Sequence, residues 1–290
     1  MKNRSLRLAH LPLLAVALLL LHTVDARAQK GDFLVFLCLG QSNMEGFPGI
    51  PEEEKTFSDP RFQVLTAVDF PALNRKQGNW YPAVPPLCRP NSGLSPADHF
   101  GRTLVARLPA NIRVGVVNVS VAGAKIEVFD KTNFISYAAT APEWMKGTIA
   151  AYGGNPYARL VELARLAQQT GVIKGILLHQ GESNTDDAAW PTKVKTVYEN
   201  LLADLGLEAA KVPLLVGGLV AADQQGKCAS MNAVIADLPK SIPTAQVVSS
   251  DGCESLPDHL HFSPAGYREL GRRYAETMLP LLGAKPLVAN

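Results

Sequence analysis

Hydrophobic positions along the chain fall into two alternating patterns. Phe33-Leu34-Val35-Phe36-Leu37-Cys38-Leu39 is an unbroken apolar run, and β-branched apolar runs recur at 112–119, 172–178, 212–220 and 245–250. The segments between them carry helical spacing: 97–108, with Phe100, Leu104 and Leu108 on one face, then 156–169, 194–205, 229–238 and 264–281. Pro156 and Pro264 suit first helical positions, and Ser263 is a good N-cap. Strands that are apolar throughout, rather than alternating, are buried on both faces. Separated by helices, they predict an α/β chain with a parallel sheet of five strands and about five helices in one doubly wound domain.

Two stretches break the alternation. One, near residues 47–97, is rich in proline and reads as a long irregular excursion; the other, at 130–155, is a second irregular insertion. Connections of such length in a compact domain are usually functional.

The first 28 residues read differently from the rest. Lys2, Arg4 and Arg7 precede a short apolar run, Leu11 to Leu21, and Ala26-Arg27-Ala28 has the small-x-small form of a cleavage site. The expectation is a signal peptide, residues 1–28, removed after Ala28, and a mature domain of 29–290 that is secreted or periplasmic. An uncleaved N-terminal anchor is the alternative reading. The whole chain has a formal charge of +2; without the first 28 residues it holds 24 basic and 25 acidic side chains, a charge of −1. No basic field remains to bind nucleic acid, and none of the mature chain reads as a membrane segment. Export permits disulfides among Cys38, Cys88, Cys228 and Cys253. Four cysteines allow three pairings; Cys228–Cys253 is preferred, with Cys38 and Cys88 reduced. No spacing of Cys or His points to a metal site, and no cofactor is called for.

In a doubly wound sheet, ligands bind beyond the C-terminal strand ends. The polar, glycine-containing segments fall there: Gly40–Gly46, Ser120–Gly123, His179–Asn184 and the 251–261 loop. Ser42 follows a buried strand and a glycine, a position that suits a nucleophile and equally a helix N-cap. Asp258-His259-Leu260-His261 places a carboxylate three residues before an imidazole, so the carboxylate can fold back on Nδ1 and leave Nε2 for a serine. Alone, it also reads as a polar loop with two exposed histidines. The Ser42 and Gly123 backbone N–H groups and the side-chain amide of Gln180, with Asn184 slightly further along, are candidate donors for an oxyanion.

Taken together, Gly-Gln-Ser-Asn-Met at 40–44, the glycine turn after the second strand, His-Gln-Gly-Glu-Ser at 179–183 and Asp-x-x-His at 258–261 resemble the SGNH hydrolase superfamily. More narrowly they resemble its sialate O-acetylesterase and carbohydrate esterase family six group. The resemblance implies a three-layer α/β/α, flavodoxin-like domain that removes O-linked acetyl groups from carbohydrate without a metal. It implies Ser42 as nucleophile, His261 as base and an oxyanion hole of Ser42, Gly123 and Gln180. Asp258 is the triad acid, with Glu182 as the alternative acid; His259 is the rival base. The expected substrate is an acetylated glycan such as xylan, or sialic acid. Two alternatives stand beside this: a lipase- or thioesterase-like hydrolase of longer acyl esters, and a non-catalytic carbohydrate-binding domain. Trp80 and Tyr81, in the proline-rich excursion, either stack on sugar rings beside the serine or pin the loop to the core.

Overall fold

The fold comes from a computed structural model that describes residues 31–47 and 49–284. The expected signal peptide lies outside the described residues. In chain order the elements are β1 (Phe33–Gly40), α1 (Ser42–Glu45), α2 (Glu52–Lys55), β2 (Phe62–Leu65), β3 (Trp80–Pro82), α3 (Pro96–Arg107) and β4 (Arg113–Ser120). They continue with α4 (Phe134–Thr140), α5 (Glu143–Ala151), α6 (Pro156–Thr170), β5 (Val172–His179), α7 (Trp190–Leu205) and β6 (Leu214–Gly217). Last come α8 (Met231–Ala236), β7 (Gln246–Val248) and α9 (Pro264–Leu281). Among the described residues no helix is long and apolar enough to cross a membrane.

The sheet has seven strands, not the expected five, in the order β3-β2-β4-β1-β5-β6-β7. All neighbours run parallel except β3, which lies antiparallel to β2. Both added strands come from the proline-rich stretch. They are four and three residues long, too short to register as apolar runs. Pro82 is tolerated because β3 is an edge strand, where a missing N–H breaks no ladder on the open side. The second insertion is likewise not irregular: it holds α4 and α5.

Every residue of β1 is buried. Phe33, Val35, Leu37 and Leu39 face one layer, with α6 and α7; Leu34, Phe36 and Cys38 face the other, with α3 and α9. Two apolar layers on one strand with period two are what a sheet covered on both sides requires. On the second side α9 and α3 approach closely at Gly271, where a Cβ would stand 2.4 Å from the Pro96 carbonyl oxygen. Capping matches the sequence: Ser263 Oγ accepts the Gly266 N–H at 3.1 Å, with Pro264 at the first helical position.

The two layers also settle the cysteines. Cys228 packs against the α6–α7 layer, whereas Cys253 is buried in the α3–α9 layer. The preferred Cys228–Cys253 disulfide is absent and all four thiols are free, because the two side chains pack into different apolar clusters. Burial pushes the Cys88 thiol up to about 12, so it packs as a neutral apolar group.

Candidate active site

In register, Gly40 pairs with Ser120 on one side and His179 on the other, so β1, β4 and β5 end level. The loops that follow, at 41–46, 121–124 and 180–184, therefore meet at one point. Glycine at 40 is required by that convergence: a Cβ there would stand 2.1 Å from the His179 carbonyl oxygen.

Ser42 opens α1, and its Oγ lies 2.9 Å from His261 Nε2. On the other side of the ring, His261 Nδ1 is 2.7 Å from Asp258 Oδ2. An ionised carboxylate only accepts, so Nδ1 carries the proton and Nε2 is left to accept from the serine hydroxyl. Asp258 Oδ1 accepts the N–H groups of Leu260 (2.9 Å) and His261 (3.0 Å), which folds the carboxylate back as the three-residue spacing predicts. Burial pushes the Asp258 carboxyl up, but the imidazole and the two backbone donors outweigh it and hold the group below its ordinary value. His259, the rival base, adopts φ +54° and points Nδ1 at the Gln224 carbonyl at 3.1 Å, away from Ser42.

His261 does not come from a strand beside β1. Its loop enters from β7, three places along the sheet, and is tied back by Asn43. Asn43 Nδ2 donates to the Leu260 carbonyl (3.1 Å), and Oδ1 accepts the Phe262 N–H (3.3 Å) and the Tyr267 hydroxyl (2.7 Å). The residue after the serine thus grips the chain on both sides of His261. The second Asn43 Nδ2 hydrogen goes to Glu182 Oε1 at 2.6 Å. Glu182, the alternative acid, is placed behind Asn43, while Asp258 is the carboxylate on the imidazole. Burial raises the Glu182 carboxyl, yet the His179 ring beside it and the Asn43 amide leave it below the ordinary value. His179 Nε2 stands 3.7 Å away, too long for a hydrogen bond.

Among the described residues, the Ser42 and Gly123 N–H groups donate to no one. The turn carrying Gly123 is fixed on both flanks. Glu45 Oε2 accepts the Ala122 N–H at 2.7 Å, and Ser183 Oγ donates to the Gly123 carbonyl at 2.9 Å. Glu45 is buried and paired with Arg89.

Gln180 sits differently from the expectation of a donor facing the site. It is fully buried; its Oε1 accepts from Trp190 Nε1, and its Nε2 faces Asn184 Oδ1 (2.7 Å), Gln41 Oε1 (3.1 Å) and the Ala124 carbonyl (3.3 Å). An amide has two hydrogens, and these three acceptors use both. Asn184 is equally committed, its Nδ2 donating to Glu127 and Asp187. Gln41 Oε1 in turn accepts from the Gly181 and Ser183 N–H groups, both at 3.4 Å. Gln41, Asn43 and Glu45 therefore each hold a different loop. All three lie in the Gly40–Gly46 stretch, and their polarity beside a buried strand was the available signal.

Trp80 and Tyr81 pin the chain and do not line the site. The Trp80 ring packs edge-on against Phe33, with centroids 4.7 Å apart, and its Nε1 donates to Thr170 Oγ1 at 3.2 Å, at the opposite end of the sheet from Ser42. A cavity of about 720 Å³ at that same end, between Leu34, Leu108 and Met278, shares no lining residue with the Ser42 site. Among the described residues no group of three or more His, Cys, Asp or Glu side chains could hold a metal ion.

The family model described as carbohydrate esterase, sialic acid-specific acetylesterase matches residues 32–280. Among solved structures, the fold is similar to that of a protein from Arabidopsis thaliana, with a TM-score of 0.65 and 20% identity over 85% of this chain and 98% of that one. It is similar to NanS, with a TM-score of 0.62 and 17% identity over 88% of this chain and 99% of that one. A carbohydrate acetylesterase from Xanthomonas citri gives 0.61 and 17% over 88% of this chain and 57% of the other. At such identity these three likenesses bear on the fold.

Proposed function

We infer that this chain, which belongs to the carbohydrate esterase, sialic acid-specific acetylesterase family and so is a carboxylic ester hydrolase acting on carbohydrate acetyl groups, works through an acetyl-enzyme on Ser42. The observation that carries this reading is the unbroken line from Ser42 Oγ to His261 Nε2 (2.9 Å) and from His261 Nδ1 to Asp258 Oδ2 (2.7 Å).

The chemistry runs in two steps. Ser42 Oγ attacks the acetyl carbonyl carbon as His261 Nε2 takes its proton. The carbonyl oxygen becomes an oxyanion, received by the Ser42 and Gly123 N–H groups. The sugar C–O–acetyl linkage then breaks on the acyl side, and His261 returns the proton to the departing sugar oxygen. Water attacks the acetyl-serine, gives a proton to His261, and acetate leaves as that proton goes back to Ser42 Oγ. Asp258 stays ionised throughout and stabilises the imidazolium. Gln180 contributes from behind: through Gln41 and Asn184 it sets the 180–184 loop. Loss of a single oxyanion donor costs on the order of 3 kcal/mol of transition-state stabilisation.

Acetate release from a panel of acetylated glycans, set against p-nitrophenyl esters of increasing acyl length, tests the reading. The panel includes acetylated xylan and O-acetylated sialic acid, and it assigns the glycan. Wild type releases acetate and Ser42→Ala does not; equal release by the two proteins sinks the mechanism. Preference for long acyl chains would favour the lipase-like alternative. The basic, apolar and small-residue pattern of residues 1–28 supports a secreted or periplasmic enzyme, tested by N-terminal sequencing of the exported protein, where Gln29 is the expected first residue.

A further inference from the structure

Large apolar side chains with substantial exposure are few among the described residues: Phe47, Leu73, Ile135, Trp144 and Leu281. Two of these five lie against the groups that surround Ser42. The Phe47 ring packs on the His261 imidazole, with centroids 4.0 Å apart and planes tilted by 32°. The edge of the Trp144 indole abuts Gly123 so closely that a Cβ at residue 123 would stand 2.6 Å from its Cη2. Gly123 itself takes φ +66°, a conformation that favours glycine, so the turn presents bare backbone beside the indole edge.

Neither ring is placed by chance of a loose loop. Trp144 belongs to α5, whose Met145 and Ile149 are buried in the core. One residue along a helix turns the side chain by about 100°, so seating Met145 holds Trp144 on the outer side. The neighbouring helix α4 is fastened to the same turn by Tyr137, whose hydroxyl accepts the Lys125 N–H at 2.9 Å. Phe47 follows Gly46, which is locked against Gly93: the Gly93 N–H donates to the Gly46 carbonyl at 2.7 Å.

An apolar side chain that is both fixed and exposed leaves surface in water unless something covers it. At this position, beside Ser42, a substrate would supply that cover. An ester has two sides, acyl and alcohol. Acetyl is small and would not reach an open indole, and the indole is 59% exposed, unlike the wall of an enclosed acyl pocket. The alcohol side, in contrast, must open to solvent to admit a glycan. The C–H face of a pyranose ring is flat, apolar and matched in size to an indole.

We propose that Trp144 is the platform on which the pyranose ring carrying the acetyl group stacks, with Phe47 as the apolar wall beside the base. This rests on the acetylesterase reading and goes beyond it by assigning the alcohol side of the site. With the ring on the face of Trp144, its ester carbonyl is delivered past the Cη2 edge of the indole toward Gly123. Trp144 and Phe47 are specificity-determining residues in this scheme; neither exchanges a proton.

The test compares kcat/KM on a sugar acetate with kcat/KM on ethyl acetate, which offers the same acyl group and no ring. Sugar substrates are acetylated xylo-oligosaccharides and O-acetylated sialic acid, using whichever wild type cleaves faster. Trp144→Ala should lower the sugar-to-ethyl ratio about tenfold, chiefly through KM on the sugar, whereas Trp144→Phe should retain most of it. Trp144 is exposed, and unchanged thermal unfolding would confirm that the variant folds. An unaltered ratio in Trp144→Ala overturns the platform, as does an equal loss on both esters, which would put the indole on the acyl side. Wild-type cleavage of ethyl acetate with neither sugar accepted also overturns it while leaving the Ser42 esterase intact. Failure on every ester would instead remove the reading on which the platform rests.

Discussion

Replacing Asp258 by asparagine separates the two carboxylates near the base. In the wild type Asp258 Oδ1 accepts two backbone N–H groups and Oδ2 accepts from His261 Nδ1. Asparagine keeps an oxygen for the two backbone donors, so the loop keeps its shape. It puts an NH₂ where Oδ2 stood. That amide can only donate toward Nδ1, which turns the imidazole into the tautomer with its proton on Nε2. Nε2 then faces the Ser42 hydroxyl as a donor and can no longer take its proton. The expected loss in kcat is on the order of 10⁴, or about 5.5 kcal/mol at the barrier. Glu182→Gln is the matched control. Glutamine still offers an oxygen to Asn43 Nδ2 and removes only a charge that does not touch the imidazole, so its loss should stay below about tenfold. Acetate release measured under saturating substrate, with thermal unfolding to check the fold of each variant, gives the ranking. If Glu182→Gln loses more than Asp258→Asn, the orienting role passes to Glu182 and the reasoning from the 2.7 Å contact fails.

Asp258, held below its usual range, should stay ionised across the acid side of the pH–kcat profile and add no proton to its slope; a two-proton slope there would mean that Asp258 is protonated. Asn43→Ala strips partners from Glu182, Leu260, Phe262 and Tyr267 together, and should cost about 2–4 kcal/mol in denaturant melts and lower kcat more than it raises KM. A pure KM effect would contradict its role in setting the base. Asp98 is fully buried in the first turn of α3, and burial raises its carboxyl to about 7 despite hydrogen bonds from Ser95. A carboxyl harder to ionise when folded favours the fold at low pH and loses that contribution as pH rises through the folded value. Wild type should therefore lose up to about 4 kcal/mol relative to Asp98→Asn between roughly pH 4 and 7; parallel pH–stability curves would rule this out.

The parts of the fold visible in the sequence were those whose burial is continuous. β1, β4 and β5 are buried along nearly their whole length, and their apolar runs match their observed bounds to a residue or so. β2 and β3 escaped because an edge pair of such short strands needs few apolar residues, and prolines at 60, 71 and 82 read as loop. The contact line from Ser42 through His261 to Asp258 was legible because it depends on local spacing and on a position at a strand end. Gln180 was misplaced for the opposite reason. An amide's donors can be spent inward as easily as outward, and only the positions of Trp190, Gln41 and Asn184 decide which. Trp80 and Trp144 posed the same problem: each lies in a segment read as irregular. Which end of the sheet each ring reaches depends on strand pairing and helix docking that no local pattern encodes.

The placement of His261 shows why the site is built around one short turn. Its loop leaves β7 and must return across three strand spacings, roughly 14 Å, to meet Ser42. The Ser42–His261 hydrogen bond cannot hold it there, since a typical one contributes only about 1 kcal/mol net and the proposed mechanism breaks this one in every turnover. The holding is done next door, by an asparagine that is fully buried and fully partnered. Gln41 does the same for the 180–184 loop and Glu45 for the Gly123 turn. Because all three struts spring from the turn that carries Ser42, any drift of that turn moves the proposed base, donors and nucleophile together. Their mutual distances survive motions that would separate groups anchored on independent loops. On this argument a substitution at 41, 43 or 45 damages catalysis by uncoupling one loop from the other two, although none of the three side chains needs to touch the substrate.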